Sequence, residues 1–281
     1  AREVLETVEK NGCFADYRAM ELTGAPLGIQ PSPCPYLPAR TFESETVYMQ
    51  SYDAEGLEYL LSIGFRHFSR YFFRPVCGSC HQCIPLRIPA ERFRLTRNRR
   101  RVLRRAAGLD VQLEEPKPES RMFDLYRLHA ERFSLGGSDD YETFRESFFT
   151  PLPGARMLTI RDGEKLVAVS HIDFTDDILS AIYCYWDPEY ARMSPGKLAL
   201  VKELEIAQQQ ELRYLYLGYY VPGNRHMNYK ARYRPNEALL TEGDWVPFID
   251  EEGNMANPEV ERHGFQPILR ITGASAMGSP S

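Results

Sequence analysis

Three cysteines spaced three residues apart constrain this chain more than any other feature of its sequence. Cys77, Cys80 and Cys83 lie in the stretch Arg-Pro-Val-Cys-Gly-Ser-Cys-His-Gln-Cys-Ile-Pro. A Cys-x-x-Cys turn brings two thiolates to one soft metal ion with little strain, and a third thiolate leaves one ligand to come from elsewhere. Cys34 is the best candidate for that ligand, because a proline on each side stiffens its loop and reduces the entropy lost on binding.

Alternatives to this four-cysteine metal site stay open. His81 could replace Cys34, although it directly follows Cys80 and would have difficulty facing the same ion. The cysteines could also be buried without a metal, as small hydrophobic side chains, but the polar residues between them are not typical of a core segment. For Cys13 and Cys184 the metal-free interpretation is preferred, and the apolar run around Cys184 predicts a buried strand.

Length and composition are those of an ordinary globular protein. The chain has 281 residues, of which 43% are hydrophobic and 26% charged, which predicts one or two domains with a substantial core. Nothing approaches 18 consecutive apolar residues, and residues 1–10 are too charged for a signal peptide. We therefore expect a cytoplasmic protein with no membrane association and with reduced thiols, which favours a metal over disulfides at the cysteines.

A cluster of arginines contrasts with the formal net charge of −5. Eight arginines and one acidic residue lie between Glu91 and Arg105, with apolar side chains among them. If residues 97–107 form a helix, Val102 and Leu103 face the core. The arginines expected on the exposed side are Arg97, Arg100, Arg101, Arg104 and Arg105. Arginine is suited to phosphate, so the cluster predicts a local RNA-binding surface, with a merely solvated helix face as the alternative.

The second half of the chain predicts a mixed α/β fold. Residues 156–174 form a hairpin around Asp162-Gly163, and residues 178–187 add a third strand to an antiparallel meander. Ser194 and Pro195 then begin a helix that runs to about Gln210. Its predicted apolar face consists of Leu200, Val201, Leu204 and Ala207. The nearly continuous apolar and aromatic run at 214–221 predicts a buried strand.

Meander, helix and strand occur in this order at the centre of the acyl-CoA N-acyltransferase (GNAT) fold. An acetyl-CoA site would need a glycine-rich loop with open backbone amides at the start of the helix. Here the loop, residues 192–197, contains a single glycine and places Pro195 where an amide is needed. The sequence therefore predicts a GNAT-like domain that does not use acetyl-CoA.

Four motifs in the same order resemble the aminoacyl-tRNA–protein transferases of the N-degron pathway, which comprise arginyl-transferases and bacterial leucyltransferases. They are Cys-Pro-Tyr-Leu-Pro from Cys34, the three-cysteine motif, Tyr-Leu-Gly-Tyr from Tyr216, and the segment Pro222–Pro235. The resemblance runs from about Cys34 to Trp245. It implies transfer of leucine or arginine from tRNA to an acidic protein N-terminus, which creates a degradation signal.

The resemblance also implies domains and site residues. It implies a cysteine-rich N-terminal domain, expected at residues 1–110, and a GNAT-like transferase domain, expected at residues 111–250. The tail (251–281) lies outside the resemblance and is expected to be partly disordered or of non-native origin. The resemblance assigns Cys34, Cys77, Cys80 and Cys83 to zinc or an iron–sulfur cluster. For the substrate region it points to Met227, Asn228, Tyr229, Lys230 and Arg234.

The residues themselves add an electrostatic argument. An N-terminal Asp or Glu requires cations, and Lys230, Arg232 and Arg234 alternate as they would along one face of a strand. Aminolysis of the aminoacyl ester needs little base, because the acceptor amine has a pKa of about 7.7 to 8. No catalytic base is assigned; His171 and His226 show no partner in the sequence and are interpreted as structural.

The sequence leaves the donor amino acid and two alternative functions open. The chain departs from the family pattern at Ser194-Pro195-Gly196-Lys197 and at Asn224, where relatives usually have Ser-Leu-Gly-Thr and a nearby cysteine, so the donor amino acid is undecided. Two other functions are retained as alternatives. One is a GNAT-type acetyltransferase, which acetyl-CoA binding would reveal, and the other is a noncatalytic RNA-binding module with a structural zinc.

Overall fold

Two β-sheets of different size form the framework, and the computed structural model describes residues 21–133 and 139–268. The strands of the smaller sheet are β1 (Leu22–Pro33), β2 (Thr41–Tyr52), β3 (Arg66–Phe68) and β4 (Tyr71–Pro75). They lie in the order β1-β2-β4-β3, and every neighbouring pair is antiparallel. This sheet therefore consists entirely of residues from the cysteine-containing part of the chain.

The larger sheet combines strands from both halves of the chain. Its strands are β5 (Ile84–Pro89), β6 (Asp110–Glu114), β7 (Ala155–Asp162), β8 (Lys165–Phe174), β9 (Ile178–Trp186), β10 (Tyr214–Tyr220), β11 (Asn236–Thr241) and β12 (Asp244–Ile249). They lie in the order β12-β11-β5-β10-β9-β8-β7-β6. Strand β5, which comes from the N-terminal side of the predicted boundary at residue 110, thus sits between β10 and β11.

Helices cover both faces of the larger sheet. They are α1 (Ala54–Ser62), α2 (Arg97–Arg105), α3 (Ser120–Phe133), α4 (Tyr141–Phe149), α5 (Pro195–Gln209) and α6 (Glu259–His263). Helices α2 and α5 pack on one face with a shared apolar core, while α3 and α4 pack on the other. Helix α1 joins the two sheets through a core that includes Leu57, Phe72 and Tyr216. No helix in the described part of the chain is long and apolar enough to cross a membrane.

Most of the predicted elements are confirmed, and the fold belongs to the mixed α/β class. Strands β7, β8 and β9 form the expected antiparallel meander, and Gly163 has the positive φ of 57° that its hairpin turn requires. Helix α5 begins at Pro195 and ends one residue earlier than expected. Its predicted apolar residues are buried: Leu200, Val201, Leu204 and Ala207. Ser194 occupies the N-cap position, but its side chain makes no capping hydrogen bond because its backbone is left-handed, with φ of 58°.

The predicted strand containing Lys230, Arg232 and Arg234 is wrong. Residues Asn228–Arg232 form a 3₁₀ helix, because the chain turns back after β10 to reach β11. Its backbone bonds are helical in spacing, with the Lys230 amide donating to the Met227 carbonyl. With about three residues per turn, side chains two positions apart point in different directions. Lys230 and Arg232 therefore do not share a face.

Part of the predicted tail packs against the body of the protein. Val260 and Phe265 are 0% and 2% exposed, and the carbonyl of Ile268 accepts a hydrogen bond of 2.6 Å from the Arg74 guanidinium. The last residues, 269–281, lie outside the described residues, as do the charged start of the chain and Cys13.

Candidate functional site

The only parallel pair in the described sheets, β9 and β10, separates part-way along its length. The two strands pair from Tyr214 opposite Ile178 to Tyr216 opposite Ser180, and their remaining residues pair only with the outer neighbours β8 and β5. A gap between parallel strands at their carboxyl ends is where α/β sheets usually bind ligands. The backbone of this chain therefore forms a cleft beyond Ser180 and Tyr216.

Two cations meet at one side of this cleft, next to Gly218. The Nζ of Lys230 lies 3.3 Å, and the Nε of Arg66 3.5 Å, from the position that a β-carbon at residue 218 would occupy. Gly218 sits at a β-bulge with φ of 78°, a conformation that side chains rarely adopt. Gly218 thus permits the bulge and leaves space for both cations.

Neither Lys230 nor Arg66 forms an ion pair with a carboxylate within the part of the chain that the structure describes. Burial lowers the pKa of Arg66, and the charge of the Asp173 carboxylate partly opposes this shift. Arg66 is 9% exposed; one of its terminal nitrogens donates to the carbonyl of Ala181 in the cleft, and the other has no hydrogen-bond partner among the described residues. Burial, together with the charge of Arg66, lowers the pKa of Lys230 to about 7. Two neighbouring cations, one buried and one half-buried, that form no ion pair are an arrangement that favours binding of an anion.

The four predicted metal ligands lie together on the same side of the cleft. Cys77 and Cys83 belong to a small apolar cluster with Tyr219, and Cys34 and Cys80 pack against it. Burial and the neighbouring thiols raise the pKa of Cys83. The five cysteines of the described residues form no disulfide with one another.

Backbone N–H groups already donate to two of these sulfurs. The amide of Leu37 lies 3.3 Å from the Sγ of Cys34, and the amide of Glu43 lies 3.3 Å from the Sγ of Cys77. Such bonds favour the thiolate form that a metal requires. In residues 21–133 and 139–268, however, no group of three or more His, Cys, Asp or Glu side chains is placed to hold a metal ion as it stands. The donor chemistry thus fits a soft metal, whereas the positions of the donors do not converge.

The loop that carries Cys34 is linked directly to the segment after β10. The side-chain amide of Asn224 donates a hydrogen bond of 2.7 Å to the carbonyl of Tyr36. A side chain at Gly223 would come within 3.1 Å of Leu37. The cysteine cluster and the 3₁₀ helix therefore form one structural unit.

A buried carboxylate lies on the opposite face of the sheet. Glu203 on α5 is 1% exposed, and its Oε1 accepts a hydrogen bond of 2.7 Å from the hydroxyl of Ser170. Its Oε2 is buried and has no hydrogen-bond partner within the described residues. Burial raises the pKa of Glu203 to about 7, although the Ser170 bond opposes this shift.

Tyr229 in the 3₁₀ helix and Tyr233 directly after it are close enough to Glu203 to interact electrostatically with its carboxylate. Burial raises the pKa of both, to about 12 for Tyr233, and the Glu203 carboxylate contributes to each shift. Their rings meet edge to face with centroids 6.3 Å apart. Tyr229 is 38% exposed over the whole residue, so part of it lies at the surface.

The arginine face of α2 is exposed as predicted. Val102 is 8% exposed and packs with α5, while Arg97, Arg100, Arg101, Arg104 and Arg105 lie at the surface. Arg99 differs from these, because it is 9% exposed. Its guanidinium lies 4.1 Å from the ring centroid of Tyr233 and donates to the carbonyl of Arg232. Arg99 thus connects the exposed arginine face with the 3₁₀ helix.

Comparison with known proteins identifies the family. Residues 32–101 match the model of the arginine-tRNA–protein transferase N terminus, and residues 121–240 match that of its C terminus. The aspartate/glutamate leucyltransferase of Pseudomonas fluorescens is 35% identical over 224 residues, which cover 77% of this chain and 94% of that protein. The chain belongs to the aminoacyl-tRNA–protein transferase family.

A second bacterial relative is similar over most of the chain, and two solved structures show partial similarity. The aspartate/glutamate leucyltransferase of Campylobacter jejuni strain 81116 is 34% identical over 215 residues, or 73% of this chain and 89% of that protein. Solved structures with partial similarity include FemX, with a TM-score of 0.39 and 10% identity over 62% of this chain and 63% of that one. Another is L-PGS from Bacillus licheniformis, with a TM-score of 0.37 and 11% identity over 64% and 58% of the two chains.

The structure of this family member separates the substrate residues that the sequence grouped together. Lys230 approaches Gly218, whereas Tyr229 lies near Tyr233 and Glu203. Met227 packs against the cysteine cluster. Arg232 is exposed, and Arg234 extends to the loop at Gly253. The amide of Asn228 donates to the carbonyl of Asn224 and so begins the 3₁₀ helix.

The transferase fold buries one histidine and leaves the other at the surface. His171 is 3% exposed, its Nε2 lies 3.1 Å from the Tyr185 hydroxyl, and burial lowers its pKa to about 3. Its ring stacks on Phe148 at 4.7 Å. His226 is exposed on the loop before the 3₁₀ helix. The structural interpretation of His171 therefore agrees with its environment.

Sequence reasoning missed Arg66 and Glu203. Arg66 lies in a three-residue strand, where nothing in the sequence indicates that it approaches Lys230. Glu203 did carry a signal, because it falls among the predicted apolar positions of α5, between Leu200 and Leu204. A carboxylate on the buried face of a helix is rare unless it is paired or functional.

Proposed function

We propose that this protein transfers leucine from aminoacyl-tRNA to the α-amino group of a protein that begins with Asp or Glu. The observation that carries this proposal is the pair of cations at Gly218, Arg66 and Lys230, neither of which forms an ion pair with a carboxylate among the described residues. The names of the bacterial relatives, aspartate/glutamate leucyltransferases, support leucine as the donor. The product would carry an N-terminal leucine and serve as an N-degron.

The side-chain carboxylate of the acceptor would bind between Arg66 and Lys230. A carboxylate there would gain charge-assisted hydrogen bonds and would relieve the repulsion between the two cations. An Asn or Ala side chain offers no charge, so the same site would reject it. The acceptor residues proposed here are Lys230 from the predicted set and Arg66, which the sequence did not indicate.

The reaction is aminolysis of an ester that is already activated. The neutral acceptor amine attacks the aminoacyl carbonyl, the amine loses a proton, and the ester oxygen of the tRNA leaves with a proton. Because the amine has a pKa of about 7.7 to 8, a fair fraction is neutral without a base. Positioning of the two substrates in the cleft between β9 and β10 supplies much of the catalysis in this proposal.

The tRNA backbone would contact the exposed arginines of α2. Arg97, Arg100, Arg101, Arg104 and Arg105 give a local positive surface on a chain with a net charge of −5. Arg99 connects this surface to the 3₁₀ helix, which places the tRNA contact near the cleft. A reaction that consumes charged tRNA belongs in the cytoplasm, which agrees with the expectation of reduced thiols.

The second half of the chain is proposed to be a GNAT-like domain that uses aminoacyl-tRNA in place of acetyl-CoA. The support is the order of β7, β8, β9, α5 and β10, with a cleft where the last two strands separate. Helix α5 starts with Pro195 behind the left-handed Ser194, so the open amides that a pyrophosphate would need are reduced.

We also propose a structural zinc ion or iron–sulfur cluster at Cys34, Cys77, Cys80 and Cys83. The support is their common cluster and the amide bonds to two of the sulfurs. Metal binding would require the loop that carries Cys34 and the loop that carries Cys77, Cys80 and Cys83 to move closer together. The metal would stabilise the junction between the cysteine loops and the 3₁₀ helix, and it has no assigned step in the transfer.

A transfer assay tests the function directly. Purified protein is mixed with Leu-tRNA or Arg-tRNA and with otherwise identical peptides that begin with Asp, Glu, Asn or Ala. We expect transfer from Leu-tRNA to the Asp and Glu peptides only. Equal transfer to the Asp and Asn peptides would contradict the acceptor site, because these residues differ mainly in charge. Transfer from neither tRNA would exclude the proposed reaction.

A further inference from the structure

We propose that Glu203 binds the α-ammonium group of the donor amino acid while it is esterified to tRNA. This inference rests on the proposed function, since it assigns a role to one group of that donor. Glu203 would be a specificity-determining residue that selects an aminoacyl ester over an ester without a free amine.

The carboxylate of Glu203 is held in place but only partly satisfied. Ser170 donates to Oε1 at 2.7 Å, while Oε2 is buried without a hydrogen-bond partner within the described residues. An unmade hydrogen bond at a buried acceptor costs roughly 1–3 kcal/mol, and more for a charged group. Such a group is retained when a ligand supplies the missing donor.

The polar groups of the described residues near Glu203 include no cation. Ser170 faces Cys184 across strands β8 and β9, and Tyr229 and Tyr233 approach from the 3₁₀ segment. None of these side chains is a cation. The positive charge that would complete the site must therefore come from a bound molecule, and a primary ammonium provides several donors in a compact group.

Both substrates contain an amine, and the structure favours that of the donor. The proposed acceptor carboxylate binds at Arg66 and Lys230, on the side of the sheet that carries the cysteine cluster. Glu203 approaches from α5 on the other side. The 3₁₀ helix relates the two sites, because Lys230 lies next to Gly218 while the neighbouring Tyr229 is near enough to Glu203 to be affected by its charge. In addition, the acceptor amine must be neutral to attack, whereas the donor amine can stay charged.

The test compares two donors that differ only at this amine. Leucyl-tRNA is compared with the same tRNA esterified with 2-hydroxy-4-methylpentanoic acid, in which a hydroxyl replaces the α-ammonium and the ester is unchanged. Transfer from both donors to one Asp peptide is measured with wild type, Glu203→Gln and Glu205→Gln. Glu205 is the matched control, because it lies on the same helix and pairs with Lys202 at 2.7 Å.

We expect the wild type and Glu205→Gln to prefer the leucyl donor by roughly 30-fold in kcat/KM, the scale of one charge-assisted hydrogen bond. Glu203→Gln should reduce this preference to about threefold or less. It should fold, because a neutral amide of the same shape removes the cost of burying a charge. Retention of the full preference by Glu203→Gln would overturn the proposal, as would equal use of both donors by the wild type.

A second measurement needs no transfer and no tRNA. Binding of leucinamide is compared with that of 4-methylpentanamide, which lacks only the amine, by following the NMR signals of the tyrosines. Wild type should bind leucinamide at least tenfold more tightly, and Glu203→Gln should bind both equally. Selective binding by a protein that transfers nothing would support the ammonium site and exclude the proposed reaction. Equal binding by the wild type would exclude the ammonium site whatever the transfer assay shows.

Discussion

Lys230 and Arg66 converge on Gly218 from different parts of the chain, with Nζ and Nε 3.3 Å and 3.5 Å from the point where a β-carbon would lie. Two like charges held this close and partly buried repel one another and are poorly solvated. The arrangement is unfavourable by itself, and the lowered pKa of Lys230, about 7, is its direct consequence. An incoming carboxylate would remove both penalties, which makes the pair a specific test of acceptor recognition.

Changing Lys230 to Met should reduce kcat/KM for Asp and Glu peptides by about 30-fold, which corresponds to about 2 kcal/mol for one charge-assisted hydrogen bond. Binding of tRNA should be largely unchanged. Arg232→Met is the matched control, because Arg232 is a cation of the same 3₁₀ helix but is exposed. Transfer rates and tRNA affinity are measured for both variants. An equal loss of transfer in the two would show that general positive charge, and not the Gly218 site, recognises the acceptor.

Changing Arg100, Arg101, Arg104 and Arg105 together to Gln should weaken tRNA binding and flatten its dependence on salt. Each phosphate contact contributes about 0.7 to 0.9 to the slope of log K against log salt concentration, because it releases condensed counterions. Four contacts would therefore lower the slope by about 3. Arg145→Gln combined with Arg262→Gln, two exposed arginines on other helices, serves as the control. A slope equal to that of the wild type would assign α2 to a solvated surface.

Metal analysis of anaerobically purified protein should find zinc or iron. Replacing Cys80 with Ser should abolish the metal and lower the thermal stability, because binding of a structural metal is coupled to folding. Cys184→Ser is the control, since Cys184 lies in β9, away from the cysteine cluster. Cys34→Ala decides the fourth ligand: retention of the metal by this variant would exclude Cys34. Absence of any metal from the wild type would favour the interpretation of the thiols as buried core residues.

Local patterns in the sequence predicted most of the helices and strands discussed above. They did not predict the contacts between segments that are distant in the sequence. The period of 3.6 residues identified the buried side of α5, and alternation with an Asp-Gly turn identified the hairpin of β7 and β8. The segment after β10 was misassigned, because alternating cations resemble a strand whereas the chain has to reverse direction there. Periodicity contains no information on such tertiary constraints.

The cation pair at Gly218 and the carboxylate of Glu203 differ in how well the sequence could have predicted them. Arg66 meets Lys230 only because β3 and the 3₁₀ helix, more than 150 residues apart, fold next to β10. No local signal predicts that contact. Glu203, in contrast, lies on a predicted apolar helix face, where a lone carboxylate is itself an indication of function. The carboxylate of Glu203 within this apolar pattern is thus a local signal for a site on α5.

Glu203 should also make the stability of the protein depend on pH. Its pKa is raised by burial from an ordinary value of 4.5 to about 7 in the folded state, so between these values the folded protein binds more protons than the unfolded chain. The contribution of Glu203 to the free energy of unfolding is therefore greatest below pH 4.5 and decreases as the pH rises to about 7. Tyr229 and Tyr233 beside it have raised pKa values and titrate above this range.

Replacing Glu203 with Gln removes this titration. The free energy of unfolding of Glu203→Gln, relative to that of the wild type, should increase by about 3 kcal/mol between pH 4.5 and pH 8, since each pKa unit corresponds to about 1.4 kcal/mol. Urea denaturation at a series of pH values measures the difference, and Glu205→Gln controls for loss of a carboxylate from the same helix. A difference that does not change with pH would mean that the Glu203 carboxylate already has a compensating partner, which would remove the need for an ammonium ligand at that site.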